Sequence, residues 1–193
     1  RQLQNVTIVS PDAGGVARAK MFRDGLEAQG QKAGLALIIR ARAGLPGSGA
    51  GDGASSLNGG SEEGLPDMAM PPQVDLVGNV AGCDCIIVDD MIDTAATLVT
   101  AVNALASFGA KRIFAFATHG LFNGNAAEDI ESCCIEELVI ANTIPLSPSV
   151  TRITRKVRVV SVGKLLAQAI KCIHTGDSVK RLFDVSQGAA LLA

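Results

Sequence analysis

The chain has 193 residues, of which 48% are hydrophobic and 19% are charged, enough for one domain with a core of ordinary size. The net charge is −2, and the aromatic residues are six Phe with no Tyr or Trp. These features argue against binding to nucleic acid or to an anionic membrane surface. There are five cysteines, an odd number, and two of them are adjacent. We therefore expect reduced thiols in a cytoplasmic protein rather than a disulfide framework.

Short apolar runs alternate with amphipathic stretches along most of the chain. In chain order they predict a strand at residues 6–10, a helix at 16–29 and a strand at 35–39. Beyond residue 74 they predict strands at 85–88, 111–118, 137–141 and 157–162, with helices at 95–108, 126–131 and 163–174. This alternation is typical of an α/β domain with a parallel sheet covered by helices on both faces.

The segment from 44 to 73 interrupts this pattern. Its 30 residues include eight Gly, four Ser and four Pro, so it has little apolar surface to bury. We expect a flexible insertion within a single domain that covers residues 1–193. Because the sequence begins with Arg in the approach to a strand, we also expect a piece of a longer chain.

Polar side chains follow each of the first strands, at the points where a parallel sheet places its ligands. Residues 10–15, Ser-Pro-Asp-Ala-Gly-Gly, follow the first strand, and Arg40 and Arg42 follow the second. Asp89, Asp90 and the segment 93–97, which reads Asp-Thr-Ala-Ala-Thr, follow the third. We therefore expect carboxylates, hydroxyls and guanidinium groups to meet at one edge of the sheet.

The segment 93–97 opens a helix, so its free backbone N–H groups suit a phosphate, and Thr94 and Thr97 add hydroxyl donors. Asp89 and Asp90 can accept hydrogen bonds from ribose hydroxyls or hold Mg²⁺ through water. The arginines at 40 and 42 can neutralise phosphoryl oxygens. In the alternative interpretation, Asp93 caps the helix and the other two acids are solvated turn residues.

The string at residues 88–97, VDDMIDTAAT, resembles the ribose-phosphate loop of the type I phosphoribosyltransferase fold. More narrowly, it resembles that of the phosphoribosyl pyrophosphate (PRPP) synthetases, also called ribose-phosphate diphosphokinases. Further segments match this family in the right order, namely 9–15, 118–120, 142–145 and 173–179 with 182–183. The resemblance covers nearly everything except the segment 44–73.

The resemblance implies transfer of the diphosphoryl group of MgATP to ribose 5-phosphate, giving PRPP and AMP for nucleotide biosynthesis. It assigns the binding of ribose 5-phosphate to Asp89, Asp90, Asp93, Thr94, Ala95, Ala96 and Thr97, with Asp12 as a Mg²⁺ ligand. Arg40 and Arg42 take the places of the family's catalytic lysine and its partner arginine.

The same resemblance also implies an assembly. Members of the family have two homologous domains, and this chain is similar to the C-terminal one, so we expect it to be inactive without the N-terminal domain. Members form dimers that build into hexamers, or hetero-oligomers with paralogues.

Three positions depart from the family pattern, and the segment 44–73 enlarges the catalytic loop region. These departures leave alternatives open. Arg40 replaces a lysine, and the two are not interchangeable cations. Ala95 and Ala96 stand where the family has at least one glycine, and a Cβ there conflicts with a positive φ. The alternative functions are a non-catalytic synthetase-associated regulatory subunit and a phosphoribosyltransferase that uses PRPP with a base.

For the remaining polar residues a structural role is the default. Arg18 and Lys20 on the first helix, and the basic run from 152 to 158, are expected to be solvated. We assign His119 and His174 no catalytic role.

Overall fold

The structure, a computed structural model, describes residues 3–40 and 74–183, with Arg40 described by its backbone. The predicted insertion at 44–73 and the predicted catalytic Arg42 lie outside the described residues. Seven strands are described: β1 Val6–Ser10, β2 Gly34–Arg40, β3 Val74–Val77, β4 Asp84–Ile92, β5 Arg112–Gly120, β6 Glu137–Ala141 and β7 Val157–Val160. The helices are α1 Val16–Ala28, α2 Ala96–Ser107, α3 Ala126–Ser132, α4 Pro148–Ile153 and α5 Gly163–Thr175, followed by a 3₁₀ turn at Val179–Leu182.

The strands form one sheet in the order β3-β2-β1-β4-β5-β6-β7. Every neighbouring pair is parallel except β2 and β3, which are antiparallel. The prediction of a parallel sheet is therefore confirmed for six strands and wrong at one edge. The four residues of β3 alternate between half-buried and exposed, as suits a short edge strand that is solvated on one face.

Helices cover both faces of the sheet, as predicted. On one face, Ala19 of α1 packs with Ile8 and Val88. On the other face, Leu98 and Leu105 of α2 belong to a larger aliphatic cluster that includes strand residues from β1, β4, β5 and β6. All five residues of β1 are buried, because a central parallel strand has apolar neighbours on both sides.

The strands β4 and β5 are longer than the sequence predicts. Their pairing continues as far as Ile92 and Gly120, so Asp89 and Asp90 lie within a strand rather than in a loop after it. A strand fixes the backbone of these acids more firmly than a loop would. The polar end of β4 was not predicted as strand because acids are rare in strand interiors.

The first residue of β4, Asp84, has a side chain with no exposed surface. Its Oδ1 accepts a hydrogen bond of 2.8 Å from Nε of Arg112, the residue opposite it on β5, and its Oδ2 accepts from Nη2 of the same arginine. The backbone N–H of Gln4 also donates to Oδ2, at 2.6 Å. This ion pair joins the N-terminal segment to the two central strands.

The sequence predicts an apolar side of α5, and the structure leaves that side exposed. Leu166, Ile170 and Ile173 are 57%, 67% and 73% exposed. Within residues 3–40 and 74–183, no element covers this side of α5, although Cys172 on the other side is fully buried. No helix in the same ranges is long and apolar enough to cross a membrane.

Candidate functional site

The carboxyl ends of β1 and β4 border a cleft of about 240 Å³. Eight residues of the predicted site line it, and Met91, Ile92 and Leu98 complete the lining. The eight are Asp12, Asp89, Asp90, Asp93, Thr94, Ala95, Ala96 and Thr97. The structure therefore brings together the predicted ribose-phosphate residues and the predicted Mg²⁺ ligand in one place, and the roles of these residues stay predictions.

The loop after β1 holds the carboxylate of Asp12 in a defined position. Oδ1 of Asp12 accepts a hydrogen bond of 2.8 Å from the backbone N–H of Gly15, and the buried hydroxyl of Ser10 donates to the carbonyl of Asp12 at 2.6 Å. A Cβ on Gly15 would lie 2.8 Å from Oγ of Ser10, closer than real Cβ contacts. Glycine at this position thus permits the tight turn that directs Asp12 into the cleft.

The loop after β4 is held by a residue that the sequence analysis missed, Asn123. Its Nδ2 donates to Oδ1 of Asp93 at 2.6 Å, and its backbone N–H donates to the carbonyl of Asp93 at 3.0 Å. The two bonds hold the side chain and the backbone of Asp93, and so they hold the loop against Asn123. No motif in the sequence marks Asn123, because the contact spans 30 positions.

Helix α2 begins at an alanine, which cannot cap it through its side chain. Ala95 is the N-cap, with φ 63° and ψ −2°, and within residues 3–40 and 74–183 no side chain caps this end. The alternative interpretation, in which Asp93 caps the helix, is therefore wrong. The first N–H groups of α2 remain available to a ligand and carry the positive end of the helix dipole into the cleft.

The positive φ of Ala95 bears out the conflict expected from the sequence. A left-handed backbone costs an L-residue about 1–2 kcal/mol and costs glycine nothing. Ala95 is 4% exposed, so its methyl group also contributes burial energy of about 0.8 kcal/mol. The two terms oppose each other, which explains how an alanine is tolerated in a pair of positions where the family has at least one glycine.

We expect Ala95→Gly to change the free energy of unfolding by less than about 1 kcal/mol. Relief of the left-handed strain, about 1–2 kcal/mol, is offset by the lost methyl contact and by the greater entropy of glycine in the unfolded chain, about 0.4–1 kcal/mol. The matched control is Ala96→Gly, at the exposed first helical position, which should destabilise by about 0.5–1 kcal/mol. Urea denaturation measures both, and a loss well above about 1 kcal/mol for Ala95→Gly would contradict the argument.

Arg18 joins α1 to the acidic end of β4. Its Nη1 lies 3.2 Å from Oδ1 of Asp89, and its Nη2 lies 2.7 Å from Oδ2 of Asp90. The prediction of a solvated Arg18 is wrong, since its side chain is 35% exposed and bridges both carboxylates. The only signal in the sequence was the position of Arg18 in the first turn of α1, at the same edge of the sheet as the acids.

Asp89 is more buried than Asp90, with side chains 18% and 52% exposed. Burial raises the pKa of Asp89 above its usual range, and the charges of Asp90 and Asp12 act in the same direction. The backbone N–H of Asp90, 2.9 Å from Oδ1 of Asp89, and the charge of Arg18 lower that pKa again. The cleft therefore carries negative charge, which Arg18 neutralises only in part.

The predicted catalytic arginines are placed less fully. Arg40 is the last residue of β2, opposite Val74, and its backbone lies at the same carboxyl edge as the cleft. Arg42 lies outside the described residues.

Two other polar side chains, those of His119 and Lys156, have structural partners. Nδ1 of His119 lies 2.8 Å from the hydroxyl of Thr143, which donates to the carbonyl of Thr118 at 3.0 Å. Nζ of Lys156, predicted to be solvated, donates to three carbonyls at the end of α3, those of residues 130, 131 and 133. Both contacts favour roles in packing and in helix termination rather than in chemistry.

Comparisons with known proteins identify the family of this chain. The family described as the phosphoribosyl synthetase-associated domain matches residues 2–184. The ribose-phosphate pyrophosphokinase of Pasteurella multocida is 38% identical over 181 residues, which are 94% of this chain and 49% of that protein. That of Shewanella oneidensis is 36% identical over 183 residues, 95% of this chain and 49% of the relative. The chain thus spans about half the length of these curated relatives.

A solved structure gives the same result for the fold. The phosphoribosylpyrophosphate synthetase from Mycobacterium smegmatis superposes with a TM-score of 0.68 and 28% sequence identity, over 90% of this chain and 46% of that one. The prediction of a fold similar to the phosphoribosyltransferases and PRPP synthetases is confirmed, and the family match covers nearly the whole chain. The chain belongs to the phosphoribosyl synthetase-associated domain family.

Proposed function

We propose that this chain is the C-terminal, ribose 5-phosphate-binding domain of a ribose-phosphate diphosphokinase. With its N-terminal domain it transfers the diphosphoryl group of MgATP to the 1-hydroxyl of ribose 5-phosphate, and it is inactive without that domain. The observation that carries the proposal is the cleft at the ends of β1 and β4, which combines an uncapped helix N-terminus with a pair of ordered carboxylates.

The two ends of this cleft suit the two ends of the ligand. The N–H groups at the start of α2, with the hydroxyls of Thr94 and Thr97, suit the 5-phosphate. Asp89 and Asp90 would repel a phosphate but accept hydrogen bonds from ribose hydroxyls. Oδ1 of Asp93 accepts a hydrogen bond from Asn123, which orders the loop between the two ends of the cleft. A phosphorylated ribose fits this polarity, with the phosphate at the helix and the sugar at the acids.

Mg²⁺ fits the residue that the resemblance assigns to it. Asp12 is exposed and is held through Oδ1 by Gly15, so its second oxygen can face a cation at the cleft. Mg²⁺ commonly takes one or two protein carboxylates and completes its shell with water and substrate phosphates, so a single aspartate suffices on this side. When bound, the ion would neutralise phosphate charge during diphosphoryl transfer. Among residues 3–40 and 74–183, no cluster of three or more metal-ligating side chains offers a complete site.

The catalytic cations of the proposal are Arg40 and Arg42, which follow β2 at the edge where the cleft lies. Their role would be to neutralise the transferring phosphoryl oxygens. ATP would be bound largely by the other domain. Oligomers based on dimers, of this chain alone or with paralogues, and a cytoplasmic location complete the proposal.

Calorimetric titration of the chain with ribose 5-phosphate tests the proposed site. Binding is expected for ribose 5-phosphate, weaker binding for inorganic phosphate, and none for ribose, because the helix N-terminus contributes most of the charge complementarity. Equal affinity for ribose and ribose 5-phosphate would rule out the phosphate assignment.

A second candidate function is a non-catalytic regulatory subunit that retains the ribose-phosphate fold. It is favoured by the strained Ala95 in the phosphate loop and by Arg40 in place of the lysine. Incubation of the full-length protein with MgATP and ribose 5-phosphate separates the two: PRPP and AMP in equal amounts support the enzyme. Binding without turnover, together with a change in the activity of a catalytic paralogue, supports the regulatory subunit.

A further inference from the structure

The guanidinium group of Arg18 contacts the two acids that the proposed function assigns to the sugar. It approaches from α1 with one nitrogen on each carboxylate, 3.2 Å from Asp89 and 2.7 Å from Asp90. A planar guanidinium presents its N–H groups in a fixed geometry. A contact with two carboxylates therefore fixes the orientation of one carboxylate relative to the other and partly neutralises their negative charge.

The backbone completes the support of the acids. Oδ1 of Asp89 accepts from the N–H of Asp90 at 2.9 Å, and Oδ1 of Asp90 accepts from the N–H of Met91 at 2.8 Å. With Arg18 included, both oxygens of Asp90 are engaged, whereas the bonds to Asp89 within residues 3–40 and 74–183 all end on Oδ1. Oδ2 of Asp89 is thus fully open to a ligand, with its direction set by the two bonds to Oδ1, and each oxygen of Asp90 can accept one further hydrogen bond.

Charge makes this support necessary. Asp12, Asp89 and Asp90 line one cleft of about 240 Å³, and a phosphorylated sugar would bring further negative charge into it. Without a cation on Asp89 and Asp90, the like charges would turn the carboxylates apart and towards solvent. Arg18 compensates them from the protein side, which leaves the ligand side of Asp89 open.

We propose that Arg18 is a positioning residue that orients Asp89 and Asp90 to receive the hydroxyls of a ribose phosphate, without itself contacting the phosphate. The inference rests on the proposed function and adds to it a residue outside the two loops. It separates the site into a sugar side, set by α1 and β4, and a phosphate side, set by the start of α2.

The test is calorimetric titration of the chain and of Arg18→Gln with three probes: ribose 5-phosphate, 2-deoxyribose 5-phosphate and inorganic phosphate. Arg18→Gln should bind ribose 5-phosphate about tenfold to a hundredfold more weakly, the effect of losing charge-assisted support for two acceptors. Its affinity for inorganic phosphate should be unchanged. The wild-type chain should bind ribose 5-phosphate more tightly than 2-deoxyribose 5-phosphate. Arg18→Gln should lose most of this preference, because its two carboxylates are no longer oriented towards the 2-hydroxyl.

Two further variants serve as controls. Arg18→Lys keeps the positive charge but not the planar guanidinium geometry. It should therefore recover part of the affinity for ribose 5-phosphate and little of the preference over 2-deoxyribose 5-phosphate. Arg23→Gln removes an arginine from the same helix whose partners, Asp24 and Glu27, lie on α1 itself, and it should bind all three probes as the wild type does.

The outcomes distinguish this inference from the proposed function. A wild-type chain that binds no ribose 5-phosphate would overturn the proposed function and, with it, the role of Arg18. A wild-type chain that binds while Arg18→Gln binds equally well, or loses ribose 5-phosphate and phosphate to the same extent at unchanged melting temperature, would overturn the inference alone.

Discussion

Replacing Asp93 with Ala and Thr97 with Val in the same chain is expected to abolish measurable binding of ribose 5-phosphate, a loss of about a hundredfold or more. In the proposed site Thr97 supplies a hydroxyl donor at the start of α2, and the carboxylate of Asp93 anchors the loop by accepting a hydrogen bond of 2.6 Å from Nδ2 of Asn123, which the alanine removes. Hydrogen bonds to charged groups contribute about 1.5–3 kcal/mol each, and 1.4 kcal/mol corresponds to a tenfold change in affinity. The loss of the hydroxyl donor, together with the weaker anchoring of the loop, accounts for the expected loss of affinity.

Calorimetry measures this loss, and the single variants divide it. Thr97→Val removes a donor but leaves the loop in place, so the protein should keep its melting temperature. The matched control is Thr100→Val, one turn further along α2, whose hydroxyl donates to the carbonyl of Ala96 at 2.8 Å within the helix. Thr100→Val should bind as the wild type does. Unchanged affinity in the double variant would remove the phosphate site from this loop.

The alternation of strands and helices was predictable because a central parallel strand is buried on both faces. The runs at Val6–Ser10 and Glu137–Ala141 are mainly apolar for this reason, and their predicted bounds match the structure. The edge strand Val74–Val77 has one half-buried and one exposed side and only four residues, so its pattern is too short to be distinguished from a loop. The helix Pro148–Ile153 is six residues long, and one turn and a half carries no periodic signal.

The site was predictable to the extent that it follows the strand order. Residues after β1 and β4 meet because parallel neighbours end at the same edge, and the eight cleft residues were predicted on that basis. Arg18 and Asn123 were not, because their contacts cross between elements that are far apart in sequence, by 71 and 30 positions. Surface-facing polar residues have no pattern that reveals such a partner. The apolar side of α5 shows the converse limit, since periodicity predicts a helix with an apolar face and says nothing of what covers it.

The second large effect is expected at Asp84, far from the cleft. Asp84→Asn should lower the free energy of unfolding by about 3 kcal/mol, because it removes the charge of a fully buried carboxylate while its partner Arg112 stays in place. For a domain of this size the melting temperature should fall by about 6–12 °C. The control is Glu137→Gln: Glu137 also pairs with an arginine on the next strand, Arg158, but the two are 35% and 59% exposed. An exposed pair contributes little, so this variant should melt within about 2 °C of the wild type.

The pH dependence of unfolding gives this prediction a sharper test. The hydrogen bond from Arg112 holds the pKa of Asp84 below its usual range; burial acts against this, and the N–H of Gln4 supports it. A carboxyl whose pKa is lower in the folded state contributes its stability above the unfolded pKa, about 3.9, and loses it as the pH falls through the folded value. The difference in unfolding free energy between wild type and Asp84→Asn should therefore be full at pH 7 and shrink below about pH 4. Urea denaturation at a series of pH values measures it, and a difference that stays constant down to pH 3 would show that Asp84 acts through packing rather than through its charge.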